Sequence, residues 1–353
     1  MAGSTGKTIY DIAREANVSV ATASRALSDN PNPRSSKQRR VVEIAQKYHF
    51  QPSVLARSLL SGESHTLSFV LPEMTNPYYS ELFSSADGEA LQHGYSLVLH
   101  RIPEDPAAYP TFFSRLIARR PDGVIFSGAI VESPYPEDKL EILQRLQAYM
   151  PIVIVGQAIE GLHCVSLGTD LEEGARLTIQ HLYTLGHRRI AFIGGNPDFR
   201  SSYSRQQGYL DEMLRLGMTV TPEYMHPADD NTAQNGEEGA HRMLGRLRRA
   251  DWPTAIVAVN DLVALGVLHQ LSRMGVRVPE EMAVVGCDNQ FFCAYTHPPL
   301  TTLDLKVGEI GRKAVSCLLE DVPGENREAV YSYEAPLVIR ESCGAHLGVR
   351  QLG

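Results

Sequence analysis

The sequence predicts an α/β protein in two parts, a small all-α unit at the N-terminus followed by a larger body built on parallel sheets. Apolar residues recur at helical spacing within residues 8–48, whereas short apolar runs separated by amphipathic segments begin at residue 66. Runs without internal alternation are typical of strands that helices cover on both faces. With 353 residues the chain exceeds what one compact core usually holds, so we expect the body to be subdivided.

Two short helices joined by a tight turn are predicted in residues 8–27, which read TIYDIAREANVSVATASRAL. The hydroxyl of Ser19 can cap the second helix, which is therefore placed directly after it. Burial of that helix's apolar side turns outward a face of small side chains and one guanidinium. This face consists of Val20, Ala21, Ser24 and Arg25. A helix that enters the major groove needs such a face, because small residues allow close approach and arginine donates two hydrogen bonds to guanine. The pattern predicts a helix-turn-helix, with two ordinary core helices as the alternative.

A third amphipathic helix is predicted over residues 34–48, where Ser35 and Gln38 fit a capping box. The segment PSVLARSLLSG follows at residues 52–62. Over their whole length, residues 8–62 resemble the DNA-binding headpiece and hinge of the LacI/GalR (lac repressor) family. The strings YDIA, VSVATASR and PSxxARSL carry this resemblance.

The resemblance implies which side chains contact DNA. Base edges would be read by Val20, Ala21 and Arg25. Phosphates would be contacted by Thr8, Tyr10, Ser19, Thr22 and Ser24. In this family the hinge folds as a short helix on the operator, and a leucine wedges the minor groove open. The matching leucine is Leu59, with Ser53 and Ala56 on the same hinge. The alternative for Leu59 is a linker leucine packed on a neighbour.

The charge distribution agrees with DNA binding by the N-terminal part alone. Residues 1–62 contain nine Lys or Arg and four Asp or Glu, a net charge of +5, which leaves −13 for the other 291 residues within the total of −8. Positive charge therefore lies where phosphates would be met, and the acidic body would repel DNA.

Several function classes are excluded by the sequence. It has no apolar run of membrane-spanning length and no signal-peptide core, so we expect a cytoplasmic protein without membrane contact. The five cysteines are scattered without metal-ligand spacing, which predicts reduced, mostly buried thiols. No nucleotide cradle, nucleophile elbow, metal motif or paired-carboxylate arrangement is found. We therefore expect neither an enzyme nor a cofactor or metal site.

The body alternates strands and helices. Strands are predicted at 67–71, 96–99, 123–126, 152–155, 190–193, 255–259 and 283–285, and helices at 79–93, 107–119, 138–149, 172–185, 205–216, 235–249 and 261–274. These are too many units for one sheet. Ligands of such sheets bind beyond the carboxyl ends of the strands, where the connecting loops converge.

The body also resembles the effector domain of the same family, which is similar to periplasmic sugar-binding proteins. The matching strings include PEMTNPYYSEL, PDGVIFSG, YTLGHRRIAFIGG, SRQQGY, AVNDLVALG, VPEEMAVVGCDN and HPPLTTLDL. The resemblance implies two lobes with ligand in the cleft and chain crossings near Gly161, Phe291 and Pro323. We thus expect a headpiece at 1–50, a hinge at 51–63 and a body at 64–353, with one lobe at about 64–161 and 292–322 and the other at about 162–291 and 323–343.

The family's effector contacts carry over first to Arg205, in SRQQGY, and Asp288, in GCDN. The carboxylate accepts from vicinal hydroxyls, the guanidinium donates, and an aromatic ring such as Tyr79 or Tyr78 can cover an apolar sugar face. Weaker candidates are Ser127, Gln157, Phe199, Arg200 and Phe291. The alternatives are structural: Asp288 could cap a turn, and Arg205 could begin a helix with its side chain in solvent.

Together these features predict an effector-controlled transcription regulator, most simply a repressor of carbohydrate-metabolism genes. It would bind a near-palindromic operator as a homodimer, and assembly into a tetramer stays open. A sugar is the favoured effector because Asp288 with Arg205 suits hydroxyls; a purine is the alternative because the tyrosines could stack on a base. A sugar-binding transport or sensing protein is the competing class, and the basic headpiece argues against it.

Overall fold

The computed structural model describes residues 7–27, 35–50, 63–132, 137–320 and 328–348. The chain divides into two compact units, one formed by residues 1–65 with 120–122 and the other by residues 66–119 with 123–353.

The described part of the first unit contains three short helices around a small apolar core. They are α1 (Ile9–Ala16), α2 (Val20–Leu27) and α3 (Ser36–Lys47). Each helix contributes a fully buried residue to this core: Ile12 from α1, Ala23 from α2 and Val41 from α3. The three helices are those that the apolar spacing predicts, although Arg34, the predicted first residue of the third, lies outside the described residues.

The second unit contains two six-stranded sheets. The strands of the first sheet are β1 (Thr66–Leu71), β2 (Ser96–Arg101), β3 (Gly123–Ser127), β4 (Ile152–Val155), β5 (Val165–Thr169) and β11 (Ala329–Tyr333), in the order β11-β5-β4-β3-β1-β2. All its pairings are parallel. Its helices are α4 (Pro77–Gln92), α5 (Tyr109–Ala118), α6 (Ala129–Glu132), α7 (Glu137–Gln147) and α12 (Val307–Glu320). Consecutive residues of β1, such as Phe69 and Val70, enter separate apolar clusters, so both faces of the sheet are covered.

The second sheet has the order β12-β10-β9-β8-β6-β7. Its strands are β6 (Ile190–Ile193), β7 (Met225–His226), β8 (Ala255–Ala258), β9 (Ala283–Asp288), β10 (Thr301–Asp304) and β12 (Leu337–Val338). Only β12 among these described strands runs antiparallel to its neighbour. The helices of this lobe are α8 (Leu171–Thr184), α9 (Arg200–Arg215), α10 (Ala233–Arg246) and α11 (Asp261–Arg273). The predicted α/β body with parallel sheets in two lobes is confirmed.

The chain passes between the two sheets later than the resemblance implies. The passages follow β5 at residue 170, β10 at residues 305–306 and β11 at residues 334–336, rather than lying near Gly161, Phe291 and Pro323. The predicted lobe limits are therefore wrong by roughly ten residues, because β5, β10 and β11 pair before each passage. Two hydrogen bonds connect neighbouring passages. Asp170 N donates to Tyr333 O at 2.9 Å, and Thr169 Oγ1 donates to Leu305 O at 2.9 Å.

Candidate DNA-reading surface and effector cavity

Local capping defines the helices of the first unit. Thr8 accepts from the amide of Asp11 and Asp11 from the amide of Thr8, which closes a capping box on α1. Ser35 and Gln38 form the predicted box on α3. Ser19 Oγ accepts from the amide of Thr22 at 3.2 Å, as expected for the cap of α2. Each of these helices therefore begins where the sequence places its cap.

The reading face is defined as Val20, Ala21, Ser24 and Arg25. It lies on α2, directly after the turn that joins α2 to α1. Asn17 takes the left-handed conformation, with φ 55°, that a short amide side chain tolerates. Ala21 and Arg25 are exposed, and Arg25 Nε donates to the carbonyl oxygen of Ala21 at 3.2 Å. Val20 is half-buried and packs on the core, so only part of its side chain faces outward.

The predicted phosphate contacts surround this face to different degrees. Tyr10 is 66% exposed, and Thr8 and Ser19 are exposed as well, whereas Thr22 and Ser24 are half-buried. The Thr8 hydroxyl already has a partner within the protein, since it donates to Asp11 Oδ2 at 2.7 Å. The predicted hinge residues Ser53, Ala56 and Leu59 lie outside the described residues.

The second unit holds a cavity of about 510 Å³ at the carboxyl ends of the strands of both sheets. This volume is in the range of small-molecule sites. Seven of the predicted effector residues line it: Tyr78, Tyr79, Ser127, Gln157, Phe199, Arg205 and Asp288. Phe291 does not line it and is 74% exposed, because the short 3-10 helix after β9 turns its ring into solvent. Arg200 also lies outside the lining.

Arg205 and Asp288 lie together, both almost fully buried, with 3.6 Å between Arg205 Nη2 and Asp288 Oδ1. The Nε of Arg205 is buried without a hydrogen bond to any residue that the structure describes. Burial raises the pKa of Asp288 well above its ordinary value, and the guanidinium opposes this shift. An acceptor on a ligand would satisfy Arg205, and a donor would stabilise the ionised form of Asp288.

The backbone at Asp288 is strained. Its φ of 126° lies in a region that residues other than glycine rarely adopt, and Asn289 follows with φ 58°. Arg340 Nη2 donates to Asn289 Oδ1 at 2.8 Å, which helps to hold this conformation. Strain maintained by surrounding contacts is typical of functional sites.

A buried carboxylate beneath the same loop fixes it further. Asp261 Oδ1 accepts from Thr302 Oγ1 at 2.6 Å, and its Oδ2 accepts from the amide of Gln290 at 2.8 Å. A Cβ on Gly286 would overlap Asp261 Oδ1, so only glycine fits at that point of β9. The loop that carries Asp288 is thus positioned by residues far apart in the sequence.

Two tyrosines form one wall of the cavity. Tyr78 and Tyr79 meet edge to face with their ring centroids 5.2 Å apart, at the start of α4 that Asn76 caps. Burial raises the pKa of both hydroxyls above the ordinary value, so both remain protonated donors at neutral pH. Gly128, with φ 80°, allows the close approach of the Tyr79 hydroxyl, since a Cβ there would crowd it.

Helix α9 begins five residues earlier than predicted. Its first residue is Arg200, and no side chain from its own N-terminal segment caps it. Glu132, from the first lobe, accepts from the amide of Ser201 at 2.8 Å and supplies the missing cap. Arg205 therefore lies in the second turn and faces the cavity, instead of beginning a helix in solvent.

Two more hydrogen bonds connect the lobes at this edge of the cavity. Gln157 Nε2 donates to Ser204 Oγ at 2.7 Å, and Arg200 Nη1 donates to Ala158 O at 2.9 Å. Arg200 thus acts between the lobes, rather than as part of the cavity lining. Glu132 and the polar loop at 230–232 also line the cavity and were missed by sequence reasoning. The loop's string DNT had a detectable polar signal, whereas nothing local marks Glu132.

Comparisons with known proteins agree with this geometry. The model of "Bacterial regulatory proteins, lacI family" matches residues 8–53, and that of the periplasmic binding protein-like domain matches residues 179–343. The transcriptional repressor CytR of Escherichia coli K12 is 30% identical over 322 residues, which cover 91% of this chain and 92% of CytR. PurR of Actinobacillus pleuropneumoniae is 29% identical, covering 95% and 98%. A lac repressor dimer solved with operator and anti-inducer has a TM-score of 0.85 at 24% identity, covering 96% and 99%.

The chain therefore belongs to the LacI family of bacterial regulatory proteins. It is a DNA-binding transcription regulator and not an enzyme, in agreement with the sequence prediction.

All five cysteines are buried thiols. No helix in the described ranges is long and apolar enough to cross a membrane. The same ranges contain no group of three or more acidic, His or Cys residues suited to a metal ion.

Proposed function

We propose that this protein represses transcription of carbohydrate-metabolism genes from a near-palindromic operator, acting in the cytoplasm as a homodimer whose DNA affinity is set by a small ligand. The observation that carries the proposal is that one chain contains both a reading face on α2, in which Ala21 and Arg25 are exposed, and a buried Arg205–Asp288 pair lining a ligand-sized cavity. Arg25 and Ala21 would read base edges in the major groove.

The short length of α2 favours a homodimer. A helix as short as α2 reads only a few base pairs, so two copies on adjacent half-sites about 34 Å apart would supply the specificity of an operator. The second unit offers a surface for pairing, because Phe291 and Tyr295 are 74% and 80% exposed, four residues apart. Large exposed aromatic side chains are enriched at protein interfaces. The outward position of Phe291 thus fits a contact with a second copy better than a ligand contact.

A sugar is the favoured ligand. The cavity combines a buried acceptor, Asp288, and a buried donor, Arg205, with the amide of Gln157 and the hydroxyl of Ser127. Such alternating acceptors and donors suit the vicinal hydroxyls of a pyranose or furanose.

A purine is the second candidate, on the observation that Tyr78, Tyr79 and Phe199 all line the same cavity. An aromatic face can stack on a base as well as on a sugar ring. Relatives of similar identity include a repressor named PurR.

The proposal is tested by selecting DNA from a random library with the full chain, then measuring its mass on the selected site. We expect a two-fold symmetric consensus bound by two chains. A panel of sugars and purines would then be added in a thermal-shift assay, where a binder at 100 times its Kd stabilises the protein by about 2.7 kcal/mol. An asymmetric site bound by one chain, or a protein with no sequence preference, would contradict the proposal.

A further inference from the structure

The cavity is acidic. Its lining contains the carboxylates of Glu73, Glu132, Asp230 and Asp288 and one guanidinium, that of Arg205, among the residues that the structure describes. Arg205 already faces Asp288 at 3.6 Å, so its charge is largely compensated from within the protein. An anionic ligand would therefore meet more negative than positive charge in a site partly removed from water, where screening is weak.

The positive ends of helices could offset this charge, because several helices begin at the cavity. Three of them are capped by their own side chains: Asn76 accepts from Tyr78 N on α4, Thr232 from Asn235 N on α10 and Asn260 from Val263 N on α11. A capped N-terminus has fewer amides left to donate to an anion. These helix ends consequently offer little to a phosphate group.

Another of these helices, α9, is capped by a carboxylate. Glu132 reaches from α6 to the amide of Ser201 at 2.8 Å, and the side chain also lines the cavity. A fixed negative charge thus occupies the position at which an anion would otherwise bind the helix end. Because Glu132 belongs to the opposite lobe, the same side chain lines the ligand cavity and connects the two lobes.

We propose that the cavity selects an uncharged, hydroxyl-rich or amino-bearing ligand and rejects its phosphorylated form, and that Glu132 is a specificity-determining residue for this choice. The inference rests on the proposed function, because it concerns the ligand of the same cavity. It separates free sugars and nucleosides from sugar phosphates and nucleotides on the basis of charge alone. A phosphate would face repulsion from Glu132, and the one cation in the described lining, Arg205, is already paired with Asp288.

The test compares matched ligand pairs on the full chain: glucose with glucose 6-phosphate, ribose with ribose 5-phosphate, and adenosine with its 5′-monophosphate. Binding would be measured by thermal shift and by calorimetry. In any pair that binds, we expect the phosphorylated member to bind at least about tenfold more weakly. Tighter binding of a phosphorylated member would overturn the inference while leaving an effector-controlled regulator intact. If no pair binds, the sugar and purine assignments of the proposed function fail together with this inference.

Glu132→Gln sharpens the test, because glutamine keeps an acceptor for the Ser201 amide but removes the charge. We expect this variant to lose most of the discrimination between the members of a pair. The matched control is Glu160→Gln, an exposed glutamate of the same lobe outside the cavity lining, which should keep the discrimination of the wild type. Unchanged discrimination in Glu132→Gln, in a variant with wild-type thermal stability, would overturn the role assigned to Glu132.

Discussion

The first unit and the second unit build their functional surfaces in opposite ways. In the first, a side chain next to the start of each helix caps it, and Ala21 and Arg25 of the reading face are exposed. In the second, Asp288, Arg205 and Glu132 come from separate strands and helices and meet in a largely buried cavity. A surface made from one helix depends on local sequence, whereas a cavity depends on the whole arrangement of the sheets. We therefore expect substitutions in the two units to separate DNA binding from ligand binding.

The largest effect is expected for Asp288→Ala. Removal of the carboxylate leaves Arg205 buried without its charge partner and takes away the acceptor for a ligand hydroxyl. Because the guanidinium would stay buried without its counter-charge, we expect ligand binding to weaken by at least about 30-fold. Calorimetry with the ligand identified by the screen would measure this loss. Operator affinity without ligand should stay within error of the wild type, and a parallel loss of DNA binding would contradict the separation of the two units.

Arg25→Ala should produce the reverse pattern. Because the guanidinium is the long polar side chain of the reading face, its removal should cost about 1–3 kcal/mol of operator affinity and relax the preference at one base pair. Competition assays against operators substituted at single positions would show the relaxed position. Ligand affinity measured on the same variant serves as the control, and an unchanged sequence preference would remove Arg25 from the base-reading set.

Gly286→Ala tests whether the loop of Asp288 depends on packing from below. The added Cβ would overlap the Asp261 carboxylate, so we expect a loss of about 1–3 kcal/mol in stability together with weaker ligand binding. Gly88→Ala is the matched control, since its Cβ would meet nothing within 4 Å on helix α4. That variant should gain about 0.5–1 kcal/mol. Chemical denaturation compares the two, and equal stabilities would show that Asp261 can move aside.

The smallest effect is expected for Ser35→Ala, which removes the cap of α3. The loss of about 1 kcal/mol should appear as roughly fivefold faster amide hydrogen exchange in the last helix of the first unit. Ser36→Ala, one residue later and without the capping bond, should leave exchange nearly unchanged. Equal effects from both serines would mean that α3 is held by its core contacts alone.

The sequence analysis predicted the three described helices of the first unit because their signals are local. Ser19, Ser35 and Thr8 mark helix starts through hydroxyls that bond amides two or three residues away. The half-buried positions of Val20 and Ser24 differ from the expected outward face, and Val20, the first residue of α2, also contacts the core.

For the second unit, the sequence analysis predicted the two-lobed α/β architecture but not the details that depend on tertiary contacts. The start of α9 could not be read from residues near Arg200, because its cap comes from Glu132, 69 residues away. The chain passages, which were placed on the family resemblance, were placed too early. None of the strands that precede them, β5, β10 and β11, is among the strands predicted from the sequence. β11, for example, is a sheet-edge strand whose half-buried residues lack a continuous apolar run. Phe291 was assigned to the cavity on family position, and its exposed ring shows that the loop turns it away.

The central claim is that ligand in the cavity controls DNA binding by the same chain. The most direct measurement is a titration of operator DNA with the full wild-type chain, with and without saturating ligand, repeated on Asp288→Ala. We expect the ligand to change the operator Kd of the wild type by about 5- to 150-fold in one direction and to leave that of Asp288→Ala unchanged. An operator Kd that the bound ligand does not alter in the wild type would contradict the account.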